Sequence, residues 1–409
     1  MRVRRYRLSH IAAAAALVIS AALLGPVRAQ DAVRPEVGKP LQAAQELIKA
    51  QRFKDALAKI RDADAVGGKT ANENYLIERM RMAAASGAGD VETAAHSFEA
   101  VSSRIGSADK LRMIESLAGS YYRARDYSKA MQWGQRYFKE GGTSGTIRTL
   151  LIQSQYLAGD FAGAARELTT EIQQAEKAGS APGEDRLKLL VNASLKMNDT
   201  NGYVWALERL VTYYPKREYW VDLLSRLQRK PNFSDRLALD TYRLSLATGS
   251  MNAANDYMEM TQLALQAGFP AEAKQVLDKG FATNVLGTGP EAERHKRLRD
   301  LVAKRLDEDK KNQAETLTQA QEAKDGTALV NAGMNLVFNG DKARGLQLMQ
   351  QGVAKGGFKR ADDVKLHLAI AQLTAGDSAK AQSTLRTVAG NDGTADLARL
   401  WSLYAKRRS

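Results

Sequence analysis

The feature that most constrains this chain is a short pattern that keeps returning along it. An apolar stretch at helical spacing gives way to a small or polar turn, then an aromatic or apolar residue, then alanine. It reads Gln51-Arg52-Phe53-Lys54-Asp55-Ala56, Gly89-Asp90-Val91 with Ala94, Arg125-Asp126-Tyr127-Ser128-Lys129-Ala130, and Gly159-Asp160-Phe161-Ala162-Gly163-Ala164. It returns at Gly268-Phe269-Pro270 with Ala273, at Gly340-Asp341-Lys342, and at Gly376-Asp377-Ser378 with Ala381. Weaker copies near Asn198, Pro231 and Asp307 divide the longer gaps. The result is about ten units of about 35 residues. A period of this length means that each unit is one supersecondary element. It cannot bury its apolar face alone and must stack on its neighbours.

Each position in the pattern has a physical reason. In the unit that begins at Leu111, Ile114, Leu117, Ala118 and Tyr121 share one helix face. Ala118 is small enough to let a paired helix come close. Arg125-Asp126 forms the tight turn, where other copies carry glycine because a positive φ costs it nothing. Tyr127 plugs the hairpin, Ala130 is the close-packing point of the second helix, and Tyr137 covers its far end. Leu190, Ala193 and Leu207 repeat the stripe, and Pro215 in Tyr213-Tyr214-Pro215 stops the unit. Alanine, leucine, lysine, glutamate and glutamine are prominent, and no stretch alternates with period two, so almost no sheet is expected.

These residues resemble the tetratricopeptide repeat (TPR). The resemblance covers most of the chain. It implies an all-α fold, a right-handed superhelical solenoid of about ten TPR-like helix hairpins with a concave groove. Units around 111–144 and 145–178 match well. Those around 218–250 and 290–325 match mainly by spacing, and the charged, unbroken segment 291–325 reads as one or two longer helices. Lys39-Pro40-Leu41-Gln42-Ala43-Ala44-Gln45-Glu46-Leu47 and Tyr214-Pro215-Lys216-Arg217-Glu218-Tyr219-Trp220 are similar to a family of proteobacterial envelope repeat proteins. Some of that family are similar to members encoded beside energy-transducing TonB–ExbB–ExbD systems.

The first residues read as a secretory signal peptide. Arg2, Arg4, Arg5 and Arg7 precede an apolar run from Ile11 to Leu24, and Val27-Arg28-Ala29 follows with small residues at both recognition positions. Cleavage is expected after Ala29. The run of about 14 residues is shorter than the ~20 needed to span a bilayer. Residues 1–29 are then a cleaved signal and 30–40, with Pro35 and Pro40, an extended lead-in. An N-terminal array is expected over 41–286, and C-terminal hairpins with a capping helix over 287–409. Trp401 and Tyr404 of that helix should lie against the last hairpin, ahead of a solvated Lys406-Arg407-Arg408 tail. The division at Gly287-Thr288-Gly289-Pro290, like the loops Gly141-Gly142 and Ala178 to Gly183, reads equally as an ordinary inter-helix loop. The expected location is the periplasm, with no membrane insertion once the signal is removed. The formal charge of +14 includes five arginines of the signal. The remaining excess is mild and suits acidic partners or surfaces rather than nucleic acid, which export places out of reach.

The residues offer little chemistry. There is no cysteine, which excludes disulfides, thiolate nucleophiles and cysteine-held zinc. His96, His295 and His367 are far apart, with no second histidine three or four residues away, and each reads as a partly buried helix residue or a solvated one. Val66-Gly67-Gly68-Lys69-Thr70 ends like a phosphate-binding loop. Ala63 stands where that motif needs glycine, and the preceding segment looks helical rather than extended, so the glycines read as a helix stop. Asp362-Asp363 and Asp307-Glu308-Asp309 read as solvated helix positions. No Gly-x-Ser-x-Gly elbow is present. No catalytic residue, metal or cofactor is expected.

The resemblance implies that the first helix of each hairpin lines the groove. Carried over position by position, it implies Arg112, Glu115, Tyr122 and Arg123 in one unit. It implies Thr149, Gln153 and Tyr156 in the next, and Asp185, Lys188 and Asn192 after that. Tyrosines give contact area, while amides and charges pair with the backbone and ends of an extended peptide. The leading expectation is a periplasmic adaptor, not an enzyme, that binds a protein or peptide segment within an envelope complex. Two alternatives stay open: a cell-wall or glycan-associated enzyme with its site in 218–325, and a repeat protein that self-assembles end to end.

Overall fold

The computed structural model describes residues 32–251 and 253–407; the expected signal segment 1–29 lies outside them. Among the described residues there are twenty α-helices and no strand. In order they are α1 Pro35–Lys49, α2 Phe53–Asp64, α3 Ala71–Ala88, α4 Val91–Val101, α5 Ser107–Arg123, α6 Tyr127–Lys139 and α7 Gly145–Ala158. Next come α8 Phe161–Lys177, α9 Glu184–Lys196, α10 Thr200–Tyr213, α11 Arg217–Gln228, α12 Ala238–Ala247, α13 Ala254–Gln266 and α14 Pro270–Ala282. The last six are α15 Ala292–Glu322, α16 Thr327–Phe338, α17 Lys342–Lys355, α18 Ala361–Ala375, α19 Ser378–Leu385 and α20 Thr394–Lys406. Successive helices pack as hairpins, α1 with α2, α3 with α4, α5 with α6, α9 with α10, α13 with α14, α16 with α17 and α18 with α19, so the fold is an all-α array of TPR-like hairpins. No helix of the described residues is long and apolar enough to cross a membrane. The chain divides into two compact units, Met1–Thr170 and Glu171–Ser409, and the division falls inside α8.

In the first unit each turn brings a buried stripe against the next hairpin. Val37, Leu41 and Ala44 of α1 meet Ala56, Ile60 and Ala63 of α2 and Ile77 of α3. The stripe continues through Phe98, Val101, Ile114, Leu117, Tyr121, Ala130, Tyr137 and Ile147. Gln51 and Arg125 sit at φ 58° and 64°, in the turn position that Gly89 and Gly159 fill elsewhere. The expected extended lead-in over 30–40 needs correction. Only Ala32 to Arg34 of its described residues is non-helical, because Pro35 begins α1 at a position whose N–H has no helical partner anyway. Pro40 is accommodated inside α1.

The loop that ends like a phosphate-binding motif is occupied by its own contacts. Gly68 takes φ +62°, and Lys69 Nζ donates to the carbonyls of Asp64 and Val66, closing the end of α2. Thr70 caps α3, and the Glu73 carboxylate accepts the Thr70 N–H in return. The buried Glu73 carboxylate also accepts from the Arg34 guanidinium and backbone N–H. The Arg34 hydrogen bond, followed by the one from Thr70, lowers its pKa to about 2. Thr70→Ala removes the cap, and a loss of about 1 kcal/mol in urea unfolding is expected. An unchanged midpoint would mean that Arg34 alone holds this corner.

The second unit contains the hairpins from α9 onward. The long helix α15 spans two neighbours. Its first half buries His295, Leu298, Val302 and Leu306, and Ala320 of its second half packs with Leu329 and Leu336 of α16. The segment 291–325 is therefore one helix flanked by short turns. The Gly287 to Pro290 loop lies inside this unit, between α14 and α15. Trp401 is buried and meets Tyr404 edge-on, and α20 packs on α18 and α19 as a cap. The cap does more than end the array, because α20 also reaches α10. Ser234 N–H donates to the Asp392 carbonyl at 2.9 Å, and Lys230 pairs with Asp396 at 2.7 Å. Arg399 pairs with Glu208. The hairpins of this unit thus close back on themselves.

Candidate functional site

The expected groove residues of the first unit sit on α5 and α7. Tyr122 near the end of α5 donates its hydroxyl to Gln153 Oε1 of α7 at 3.0 Å. This bond ties together the first helices of two successive hairpins. Tyr122 also meets Tyr127 edge-on at 5.6 Å, and Tyr156 meets Phe161 in the same way at 5.3 Å. The two aromatic pairs are therefore copies of one arrangement. Burial first, and the neighbouring Tyr127 second, push the Tyr122 phenol up, so it remains a neutral donor at ordinary pH. Tyr122, Gln153, Tyr156, Glu115 and Thr149 are half-buried, while Arg112 and Arg123 are exposed. Arg112 pairs with Asp109, and Arg123 donates to Ser120 Oγ at 2.9 Å. The α5–α7 face therefore offers phenol rings and an amide, with the exposed Arg112 and Arg123 on the α5 side.

Asp185, Lys188 and Asn192 belong to α9 in the second unit. Asp185 and Asn192 are exposed. Lys188 reaches Glu184 at 3.2 Å, a carboxylate that also accepts from Lys216 at 2.6 Å and from the Tyr219 hydroxyl. The Lys216 hydrogen bond and then the Tyr219 one lower the Glu184 pKa to about 2. Lys188 is thus part of a carboxylate cluster joining α9 to α11.

Sequence reasoning missed the main charged cluster of the molecule. Asp240 and Arg243 of α12, Glu272 of α14 and His367 of α18 form one network. Arg243 donates to both Glu272 oxygens at 2.7 and 2.6 Å and to Asp240 Oδ1 at 2.6 Å. His367 Nε2 lies 3.0 Å from Asp240 Oδ2. All four oxygens of the two carboxylates are therefore matched. The side chains of Asp240, Arg243 and Glu272 are each only 4% exposed, and the Phe269 and Phe338 rings lie 5.2 and 5.4 Å from the guanidinium carbon. Burial alone would raise the Asp240 carboxyl. The charges of His367 and Arg243 outweigh burial and hold it below the usual carboxylate range. A signal existed in the sequence, since Glu272 sits between Ala271 and Ala273, next to the close-packing alanine of its helix.

Several single-residue expectations change. His96 is exposed on α4 rather than partly buried. His295 accepts the Gly287 N–H through Nδ1 at 3.1 Å, fixing the turn before α15. Asp362 and Asp363 are not simply solvated. Asp363 takes a two-pronged contact from Arg236 at 2.9 and 2.8 Å, and Asp362 accepts the Ala389 N–H at 3.0 Å. Asp309 accepts from Asn335 at 2.8 Å, which ties α15 to α16. Among the described residues, no group of three or more metal-ligating side chains is arranged to hold an ion.

The helices and their hairpin pairing define an all-α array of TPR-like hairpins. The sequence matches no described protein family and no curated protein. Among solved structures, it is similar to the TPR2AB domain of yeast Sti1 in complex with pHSP90, at 16% identity and a TM-score of 0.31, over 65% of this chain and 98% of that one. It is also similar to yeast Tom70, at 12% identity and a TM-score of 0.25, over 91% of this chain and 96% of that one. Overlaps this loose transfer neither a site nor a partner.

Proposed function

We propose that this chain is a non-enzymatic scaffold that holds an extended segment of another protein on the α5–α7 face of its first unit. The observation that carries the reading is the Tyr122–Gln153 hydrogen bond. It joins partly accessible tyrosine and amide groups from consecutive repeats, and α5 carries the exposed Arg112 and Arg123 as well. Rigid aromatic faces supply area at low entropic cost, and amide and guanidinium groups recognise peptide carbonyls and carboxylates. The signal-like N-terminus supports a periplasmic setting, and the partner is proposed to belong to an envelope complex of the TonB-dependent kind. The mature chain should then begin at Gln30, which N-terminal sequencing of the protein from its native envelope would check.

The test compares the mature protein with a variant carrying Arg112→Ala, Tyr122→Ala, Arg123→Ala and Tyr156→Ala in crosslinking capture from the envelope fraction. The expected result is one partner captured by the parent and lost by the variant, with helicity retained. Equal capture by both would place binding on another face. Capture by neither would favour the self-assembling reading.

A further inference from the structure

The closure of the second unit differs in kind from the packing within its hairpins. Within hairpins the contacts are buried apolar stripes; across the closure a network of ion pairs stands beside the Phe233 ring, which packs on Gly393. Arg236, just before α12, reaches Asp363 of α18 and then Asp392 and Thr394 beside α20, at 2.7 to 3.0 Å. These partners lie 127 to 158 residues away. Deeper in, Asp240, Arg243 and Glu272 stand on α12 and α14, on one side of the seam, and His367 alone comes from the other. Three of the four carboxylate oxygens are satisfied without crossing the seam; Asp240 Oδ2 is completed only when α18 docks.

We propose that the seam between α10–α12 and α18–α20 is a reversible ionic clasp that switches the second unit between a self-covered ring and an open array. Arg236 is half-buried, with a side chain 21% exposed, so water and salt compete for its carboxylates. Opening leaves the Asp240–Arg243–Glu272 triad intact on its own side and leaves α20 packed on α18 and α19. Small rotations spread over successive hairpins are enough to part the seam, as in other arrays whose repeats contact only their neighbours. In the closed state the unit's own C-terminal helices cover α10. In the open state that face becomes available. The clasp is independent of which partner the first unit holds.

The experiment uses the full mature chain. It has no cysteine, so spin labels attach only where cysteine is introduced. Exposed Glu218 on α11 and Lys406 on α20 are changed, Glu218→Cys and Lys406→Cys, and the distance distribution between the labels is recorded. A dominant short population with a minor longer one is expected at low salt. Going from about 0.05 to about 0.5 M salt, or adding Arg236→Ala with His367→Ala, should raise the longer population about five-fold, the ratio that a single exposed pair controls. Helical circular dichroism should stay constant. A distribution that neither salt nor the two substitutions alters would overturn the clasp. So would a longer population that appears only together with loss of helicity, because the seam would then be part of the folded core.

Discussion

Gly345→Val is expected to destabilise the second unit by about 3 kcal/mol or more. The helices α16 and α17 approach at a glycine seam. A Cβ on Gly345 would lie 2.5 Å from the Gly333 carbonyl oxygen and 2.8 Å from the Val337 nitrogen. A Cβ on Gly333 would lie 2.6 Å from the Gly345 carbonyl oxygen. These neighbours are backbone atoms, which cannot rotate aside as a side chain could. The helices must separate, and the buried faces of Leu336, Val337 and Met349 lose contact with them. Gly340→Ala is the control. Its φ of +98° makes substitution strained, but its surroundings are open, so a loss of about 1 kcal/mol is expected. Urea unfolding followed by circular dichroism separates the two. Equal small losses would mean that the seam can relax.

Arg243→Met is expected to cost about 3–5 kcal/mol, because it leaves two carboxylates buried without their cation. Replacing the triad together, as Asp240→Leu, Arg243→Met and Glu272→Leu, should cost less than the single change, since no uncompensated charge remains. The pH dependence supplies a sign. In the parent, the folded-state pKa of Asp240 is depressed. Its contribution is therefore fully present above the ordinary carboxylate value of about 3.9 and is lost as pH falls through the folded value. Arg243→Met removes one of the two charges that lower the Asp240 pKa and leaves His367 and burial in place, so the depression becomes smaller. Between pH 5 and pH 3 that variant should therefore lose less stability than the parent. Urea midpoints at the two pH values check this. Parallel behaviour would show that Arg243 does not set the Asp240 pKa.

What was legible in the sequence was whatever repeats locally. The helices, the turn glycines and the alanines at close-packing points follow from spacing and steric size, and the segment 291–325 was readable as one or two long helices, of which the structure has one, α15. The closure of the second unit was not readable. Asp363 looks like an ordinary acidic residue in a helix first turn, and its basic partner Arg236 is more than a hundred residues away, so no periodicity links them. Pro40 misled because it usually ends helices, whereas α1 is held from outside by the burial of Val37, Leu41 and Ala44. The contacts of Arg148 on α7 were likewise not readable: its guanidinium carbon lies 4.5 Å from the Phe138 ring centroid while the same group pairs with Glu167 at 2.7 Å. In the proposed site, the Tyr122 and Tyr156 positions were readable from the repeat. The bond from Tyr122 to Gln153 needed the register between hairpins, which only packing sets.

The most direct test of the central claim is site-resolved photocrosslinking in the native envelope. A photoreactive residue is placed at Thr149 on α7 and, separately, at exposed Lys139 on α6. The expected result is a discrete crosslinked partner from position 149 that disappears when Tyr122 and Tyr156 are also changed to alanine, with none from position 139. A partner crosslinked from position 139 and not from 149 would contradict the claim that the α5–α7 face is where this protein holds its partner.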